Sequence, residues 1–168
     1  MKTARLRPGD APEYRDLMLE AYALHPGAFT SSVEERAALP LSWWEARLAD
    51  APDARKVVFG LLDDDGLLGV TGIAFNTRQK IRHIAKLFGI YVKKRARGTG
   101  AAGRLIDVAL DEASRRAGIR IVQLTVTENN RAAVELYEKR GFMAYGTEPF
   151  AVAVAGGYVG KIHMWRRL

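Results

Sequence analysis

Apolar and polar positions along the chain change period repeatedly, and each change marks an element. Thr3 to Arg7 reads as a short strand. Asp10 then stands ahead of an amphipathic run to about Leu24, with Glu13 as the N3 residue, which predicts a helix. His25, Pro26 and Gly27 end it. Ser32 with Glu35 and Ser42 with Glu45 both have capping-box spacing, so a helix pair or a bent helix is expected from Ser32 to Asp50, carrying Trp43, Trp44 and Leu48. Lys56 to Leu62 and Leu67 to Phe75 read as strands joined by the turn Asp63 to Gly66, an antiparallel hairpin. Ile81 to Val92 is the next strand. Its end is apolar on both faces (Leu87, Phe88, Ile90, Tyr91, Val92), as in a strand covered on both sides, and Gly89 marks a bulge or a close backbone approach.

From Gly98 to Ala117 the period becomes helical. Arg104, Asp107, Asp111, Ser114 and Arg115 share one face, and Ala102, Ile106, Ala109 and Ala113 the other; Gly118 stops the run. Ile119 to Thr127 is a strand again, and a strand, helix, strand sequence implies a parallel crossover. Asn129 or Asn130 caps a helix to Arg140, with Gly141 just past its end. Phe142 to Thr147 and Tyr158 to Trp165 close the chain as strands around Gly156 and Gly157. The sum is one α/β (α+β) domain over residues 1–168. It has a mixed, mostly antiparallel sheet of about six to seven strands, helices on both faces and one parallel β-α-β crossover. Ligands bind at such breaks in strand order.

Composition narrows the chemistry. With 168 residues, 48% of them apolar and 27% charged, one domain with a real core is the natural reading. The lack of cysteine excludes disulfides, a thiolate metal site and a cysteine acyl-enzyme, so group transfer must be direct or use another nucleophile. Neither a signal-peptide core nor a run of about 20 apolar residues is present, which makes a cytoplasmic protein the expectation, with no membrane partner. His25 and His163 lack ligand spacing, and no metal is expected.

The net charge of +7 is unevenly spread. Residues 1–77 hold 8 Lys/Arg and 12 Asp/Glu, net −4, whereas residues 78–168 hold 18 and 7, net +11. The second half therefore suits an anionic ligand and the first half a cationic one. Nucleic acid is not expected, because the basic residues outside Lys93 to Arg97 are scattered and no row of aromatics accompanies them.

The basic, glycine-rich stretch Arg95 to Gly103 lies between a strand and a helix, where unpaired N–H groups and the helix dipole favour a phosphate. Gly98, Gly100 and Gly103 spell a dinucleotide fingerprint, with Glu128 after the next strand. Against that reading, Lys93 to Arg97 separate Val92 from the first glycine, and too little chain follows to complete a dinucleotide fold. A P-loop fails because no Gly-Lys-Ser/Thr follows. The same residues also read Arg95-x-x-Gly98-x-Gly100 after Ile90-Tyr91-Val92, and this resembles the acetyl-CoA loop of the GNAT superfamily of N-acetyltransferases. Asn129 to Phe142, with an Asn at a helix start, Tyr137 two turns on and a terminal Gly141-Phe142, resembles that superfamily's second conserved block. Pro26 to Phe29 followed by Ser31, Ser32, Glu34 and Glu35 resembles a bacterial branch of it.

Helix geometry supports this independently. Asn130 and Tyr137 are seven residues apart, about 10 Å along a helix and about 20° around it, with the small Ala133 near the line between them. A narrow ligand arm fits past such a face; the alternative is a core tyrosine. The resemblance implies that the backbone of Arg97, Gly98, Thr99, Gly100 and Ala101 cradles the pyrophosphate of acetyl-CoA, with Arg95 and Arg97 at the rim. It also implies that Ile90, Tyr91 and Val92 pair with the pantetheine arm, and that Asn130, Ala133 and Tyr137 complete the cofactor site. A distortion at Gly89 would free an N–H for the thioester oxygen, and Tyr137 would protonate the leaving thiolate.

For the proton-accepting base, the resemblance implies a Glu, in many relatives, on the strand before the glycine loop, in a slot that looks like Lys86 here. Glu34 and Glu35 are the alternatives, acting through water, against an ordinary role as capping carboxylates; Glu128 and His83 rank below them. Phe29 and Trp43, with Trp44, are candidate walls of an amine pocket, against burial in the core. The activity implied is direct acetyl transfer to a primary amine of a small molecule or protein, and the acidic first half suggests a cationic one. A catalytically weak acyl-CoA-binding regulatory domain is the rival class, kept open by Lys86. The resemblance also allows a homodimer.

Overall fold

The computed structural model describes residues 1–168. Seven strands form one sheet in the order β1-β2-β3-β4-β5-β7-β6. They are β1 (Lys2–Arg5), β2 (Lys56–Asp63), β3 (Gly66–Phe75), β4 (Ile84–Val92), β5 (Ile121–Thr127), β6 (Met143–Val154) and β7 (Gly157–Arg167). All neighbours are antiparallel except β4 and β5. The mixed sheet with a single parallel crossover is thus as the sequence predicts.

Alternation on the sheet divides the core in two. Val57, Phe59 and Leu61 of β2 pack with Leu105, Ile106 and Ala109 of helix α4 (Ala101–Arg115), and Tyr137 of α5 (Arg131–Glu138) joins that layer. Val58, Leu67 and Val70 face the other way, onto α1 (Ala11–Leu24) and α3 (Leu41–Arg47), where Trp44 is fully buried. Burial of each such Leu, Ile or Val is worth about 1.5–3 kcal/mol. Both faces being covered, β4 can be apolar on each.

Several boundaries differ from expectation for local reasons. Ser42 does not cap α3: Pro40, in extended conformation (φ −67°, ψ 158°), precedes a helix that starts at Leu41 and puts Ser42 within its first turn. The other capping box is real, since Ser32 Oγ accepts from the Glu35 N–H and the Glu35 carboxylate accepts from the Ser32 N–H, opening the short α2 (Val33–Ala37). Asp10 precedes α1 but accepts from the Arg7 N–H instead of capping the helix. Helix α4 begins at Ala101, not Gly98, because Gly98 and Gly100 hold left-handed backbone (φ 78° and 79°). Helix α5 ends at Glu138, and the Phe142 N–H returns to the Tyr137 carbonyl through Gly141 at φ 78°. Strand β6 runs through Val154, well past Thr147, as an exposed edge strand with irregular register against β7 between Glu148 and Val152.

Candidate active site

Strands β4 and β5 are paired only at Ile84 to Lys86 with Ile121 to Gln123. Beyond that point they diverge. On its other edge β4 stays paired with β3, with a bulge where Val70 faces Tyr91 and Gly72 already faces Phe88. Gly89 sits in the bulge at φ 63°, a conformation costly for other residues. The Lys93 N–H donates to Leu68 of β3. By alternation, Ile90 and Val92 turn their N–H and C=O groups away from β3, into the gap left by β5.

A groove of about 510 Å³ occupies that gap, walled by Ile90, Tyr91, Val92, Arg97, Thr127, Asn130, Ala133 and Tyr137 among others. The α5 face inferred from spacing is real: Asn130, Ala133 and Tyr137 all line it. Asn130 also caps the helix, its side-chain oxygen accepting from the Ala133 N–H at 3.3 Å. One residue thus fixes both the helix start and the groove wall. At one end the groove meets the turn into α4. The Arg104 N–H is the first to bond back to Gly100, at 3.1 Å, so those of Ala101, Ala102 and Gly103 lack helical partners. A Cβ at Gly98 or Gly100 would meet nothing within 4 Å, so this turn is open to an approaching ligand. Gly103 is different, because it abuts the Arg140 guanidinium, which is ion-paired with Asp107 at 2.9 Å. The third glycine of the apparent fingerprint serves packing.

The two rim arginines part company. Arg97 donates from Nε to the Val92 carbonyl at 3.0 Å, meets His25 Nε2 at 2.9 Å and lines the groove. Arg95 turns outward to the β2-β3 turn, ion-paired with Asp63 at 2.7 Å, and does not line the groove. Thr99 bonds through its hydroxyl to the Ala96 carbonyl at 2.8 Å, and the Ala101 side chain is buried in the core, so these two offer backbone only.

Tyr137 is 4% exposed, with its ring edge to Phe142, and burial alone pushes its phenol well above the ordinary range. It therefore keeps its proton throughout neutral pH. Tyr91 is pushed up to about 12 by burial, reinforced by donation to the Glu20 carboxylate at 2.7 Å.

Next to the groove, and sharing Phe29, Ile90, Thr127, Asn130, Ala133 and Tyr137 with it, is a smaller chamber of about 240 Å³ that also reaches Gly89, Lys86 and Lys161. Phe29 and Thr30 line both this chamber and a third recess, which also takes in Ser32 and Glu34. Phe29 is thus placed as a pocket wall. Trp43 is not: its ring lies between the Arg36 and Arg47 guanidiniums, each 4.6 Å away, and against Trp44. Glu35 is engaged in its cap, which lowers its pKa, and lines neither groove nor chamber. Glu128 accepts from the Gly160 N–H at 2.9 Å, and His83 lies at the far, paired end of β4. Thr127 and Lys161 escaped sequence reasoning. Thr127 is a buried polar residue at the end of β5, a signal that was available; Lys161 enters only because β7 pairs with β5 and sets it opposite Thr127.

The profile of the acetyltransferase (GNAT) family matches residues 13–142. The chain belongs to the GNAT acetyltransferase family. It is 31% identical over 123 residues to the L-amino acid N-acetyltransferase AaaT of Escherichia coli, an alignment covering 73% of this chain and 74% of that one. The fold is shared with a GNAT-family acetyltransferase from Streptococcus pneumoniae (TM-score 0.88, 24% identity, 99% of both chains). It is shared also with yncA, a putative acetyltransferase from Salmonella typhimurium solved with acetyl-CoA (TM-score 0.79, 20% identity, 100% of this chain and 94% of that one). As a GNAT member the chain is an acyltransferase enzyme. None of its helices is long and apolar enough to cross a membrane.

Proposed function

We propose that the protein transfers the acetyl group of acetyl-CoA directly to a primary amine. The observation that carries this reading is the gap between β4 and β5: an unpaired strand edge leads from an open turn of left-handed glycines to a buried tyrosine. The residues present fit the cofactor. The turn has room and free N–H groups for a pyrophosphate, Arg97 adds positive charge, and the edge at Val92 and Ile90 accepts an amide-bearing arm as an added strand would. Bound acetyl-CoA supplies an activated acetyl thioester and a thiolate leaving group.

The chain's own residues do the rest. The bulge at Gly89 turns the Ile90 N–H toward the gap, where it can stabilise negative charge developing on an acyl oxygen. Tyr137 holds the proton for the departing sulfur. Glu34, in the recess that shares Phe29 and Thr30 with the chamber, is the carboxylate we assign to take the amine's proton through water; Glu35 is held in its cap. Small amines, among them the amino acids named for the E. coli relative, are the first acceptors to test. Incubation with acetyl-CoA and an amine panel should give amine-dependent release of free thiol together with acetylated amine. Thiol release that ignores the amine would refute transfer.

A further inference from the structure

The chamber beside Tyr137 contradicts the cationic acceptor suggested by the acidic first half of the chain. Its ionisable side chains are Lys86, Lys161 and Tyr137, with no carboxylate among its walls. Neither lysine takes part in an ion pair; the chain's ion pairs are made by Arg95, Arg116, Arg140 and His163. Lys161 donates to Thr30 Oγ1 at 2.8 Å, leaving two of its three N–H donors free. Its neighbour across β6 and β7, Glu148, turns instead to His163 at 3.2 Å. Arg47 adds positive charge from the same side of the sheet, 5.6 Å from the Phe88 ring that forms part of the wall. Of the neighbouring carboxylates, Glu128 follows the wall residue Thr127 but accepts from the Gly160 N–H at 2.9 Å, and Glu34 lines the recess that shares Phe29 and Thr30 with the chamber; neither lines the chamber itself.

We infer that Lys86 and Lys161 form an anion subsite, so that the preferred acceptor is an amine carrying a carboxylate or phosphate close to its amino group. This rests on the acetyl-transfer reading and names the acceptor class. Two lysines facing one small chamber repel a polyamine, whereas a compact anion bridges them and leaves its amine toward Gly89 and Tyr137. Lys86, in the slot where the family resemblance would put a glutamate base, thus serves recognition here.

The test pairs each of several amino acids with its carboxamide, which keeps the amine and removes the charge, and adds an aminoalkyl phosphate and spermidine. Turnover is read as kcat/KM, and binding is read by calorimetry on the CoA-saturated protein, for wild type, Lys86→Met and Lys161→Met. Wild type should prefer an anionic member over its neutral partner at least 10-fold in both readouts. Each variant should reduce that ratio at least 5-fold by raising KM for the anionic member while kcat/KM for the carboxamide is preserved. The phosphate and carboxylate arms show which anion the subsite takes. Equal use of acid and carboxamide, preference for spermidine, or a variant that lowers both partners alike would overturn the subsite while leaving acetyl transfer standing. Charge-selective binding without acetylation of any amine would support the subsite and sink the transfer reading.

Discussion

Replacing Tyr137 with phenylalanine removes a single oxygen from the wall shared by the groove and the chamber. Because burial alone accounts for the raised pKa of this phenol, with no hydrogen bond or charged neighbour contributing, no internal partner is orphaned when it goes. The ring keeps its edge contact with Phe142, 5.8 Å away, so stability should stay within about 0.5 kcal/mol of wild type. Cofactor affinity should also change little, since the groove is walled by many residues and loses no charge. Chemistry should suffer: a general acid is worth about 10²–10⁴-fold, or about 3–5 kcal/mol of barrier. The assay is continuous thiol release with acetyl-CoA and the best acceptor, alongside calorimetric affinity for CoA and a thermal melt. A raised phenol pKa further means that the alkaline limb of the wild-type rate should not reflect Tyr137 below its ordinary value near 10. A kcat within threefold of wild type would refute the role given to this hydroxyl.

Four further outcomes follow from the same geometry. Arg97→Ala should weaken acetyl-CoA binding about 10-fold or more, as loss of a charge-assisted contact does, whereas Arg95→Ala should leave the Kd within about 3-fold because that side chain is turned to Asp63; calorimetry decides. Gly100→Val forces a β-branched residue to φ near 79°, at a cost of about 1–2 kcal/mol, and should raise both the Kd for acetyl-CoA and the fraction unfolded in urea. Leu105→Ala empties a fully buried site between α4 and the sheet and should cost about 3 kcal/mol, seen as a Tm lower by about 6–12 °C. Tyr91 and Tyr137 both have phenols raised in the folded state. Their contribution is complete below about pH 10 and is lost as pH rises through the folded value, about 12 for Tyr91, so Tyr91→Phe should flatten the fall in stability above pH 10 in urea titrations.

What the sequence could reveal depended on the range of the interaction. The α5 face was legible because Asn130, Ala133 and Tyr137 share a local periodicity that the helix preserves, and the glycine turn because left-handed backbone selects its residue. The bulge at Gly89 was legible for the same reason. The fate of Arg95 was not, since Asp63 lies 32 residues away and meets it only once the β2-β3 hairpin packs beside the loop. Trp43 looked like a pocket wall because aromatics serve both roles, and only its placement between Arg36 and Arg47 resolves the choice. Charge summed over half the chain pointed to a cationic acceptor, but the chamber draws Lys86 from β4 and Lys161 from β7. Strand order, with β7 inserted between β5 and β6, decides which charges meet. No local pattern carries that information.

The central claim is that acetyl-CoA lies in the gap between β4 and β5, and a crystal structure of the protein with CoA or acetyl-CoA tests it most directly. The account predicts the pyrophosphate on the N–H groups of Gly98 to Ala101, since that of Arg97 is donated to the Lys94 carbonyl, the arm hydrogen-bonded to the backbone of Val92 and Ile90, and the sulfur beside the Tyr137 hydroxyl. Cofactor density elsewhere on the sheet, or β5 closed against Ile90 and Val92 with no room between, would contradict it.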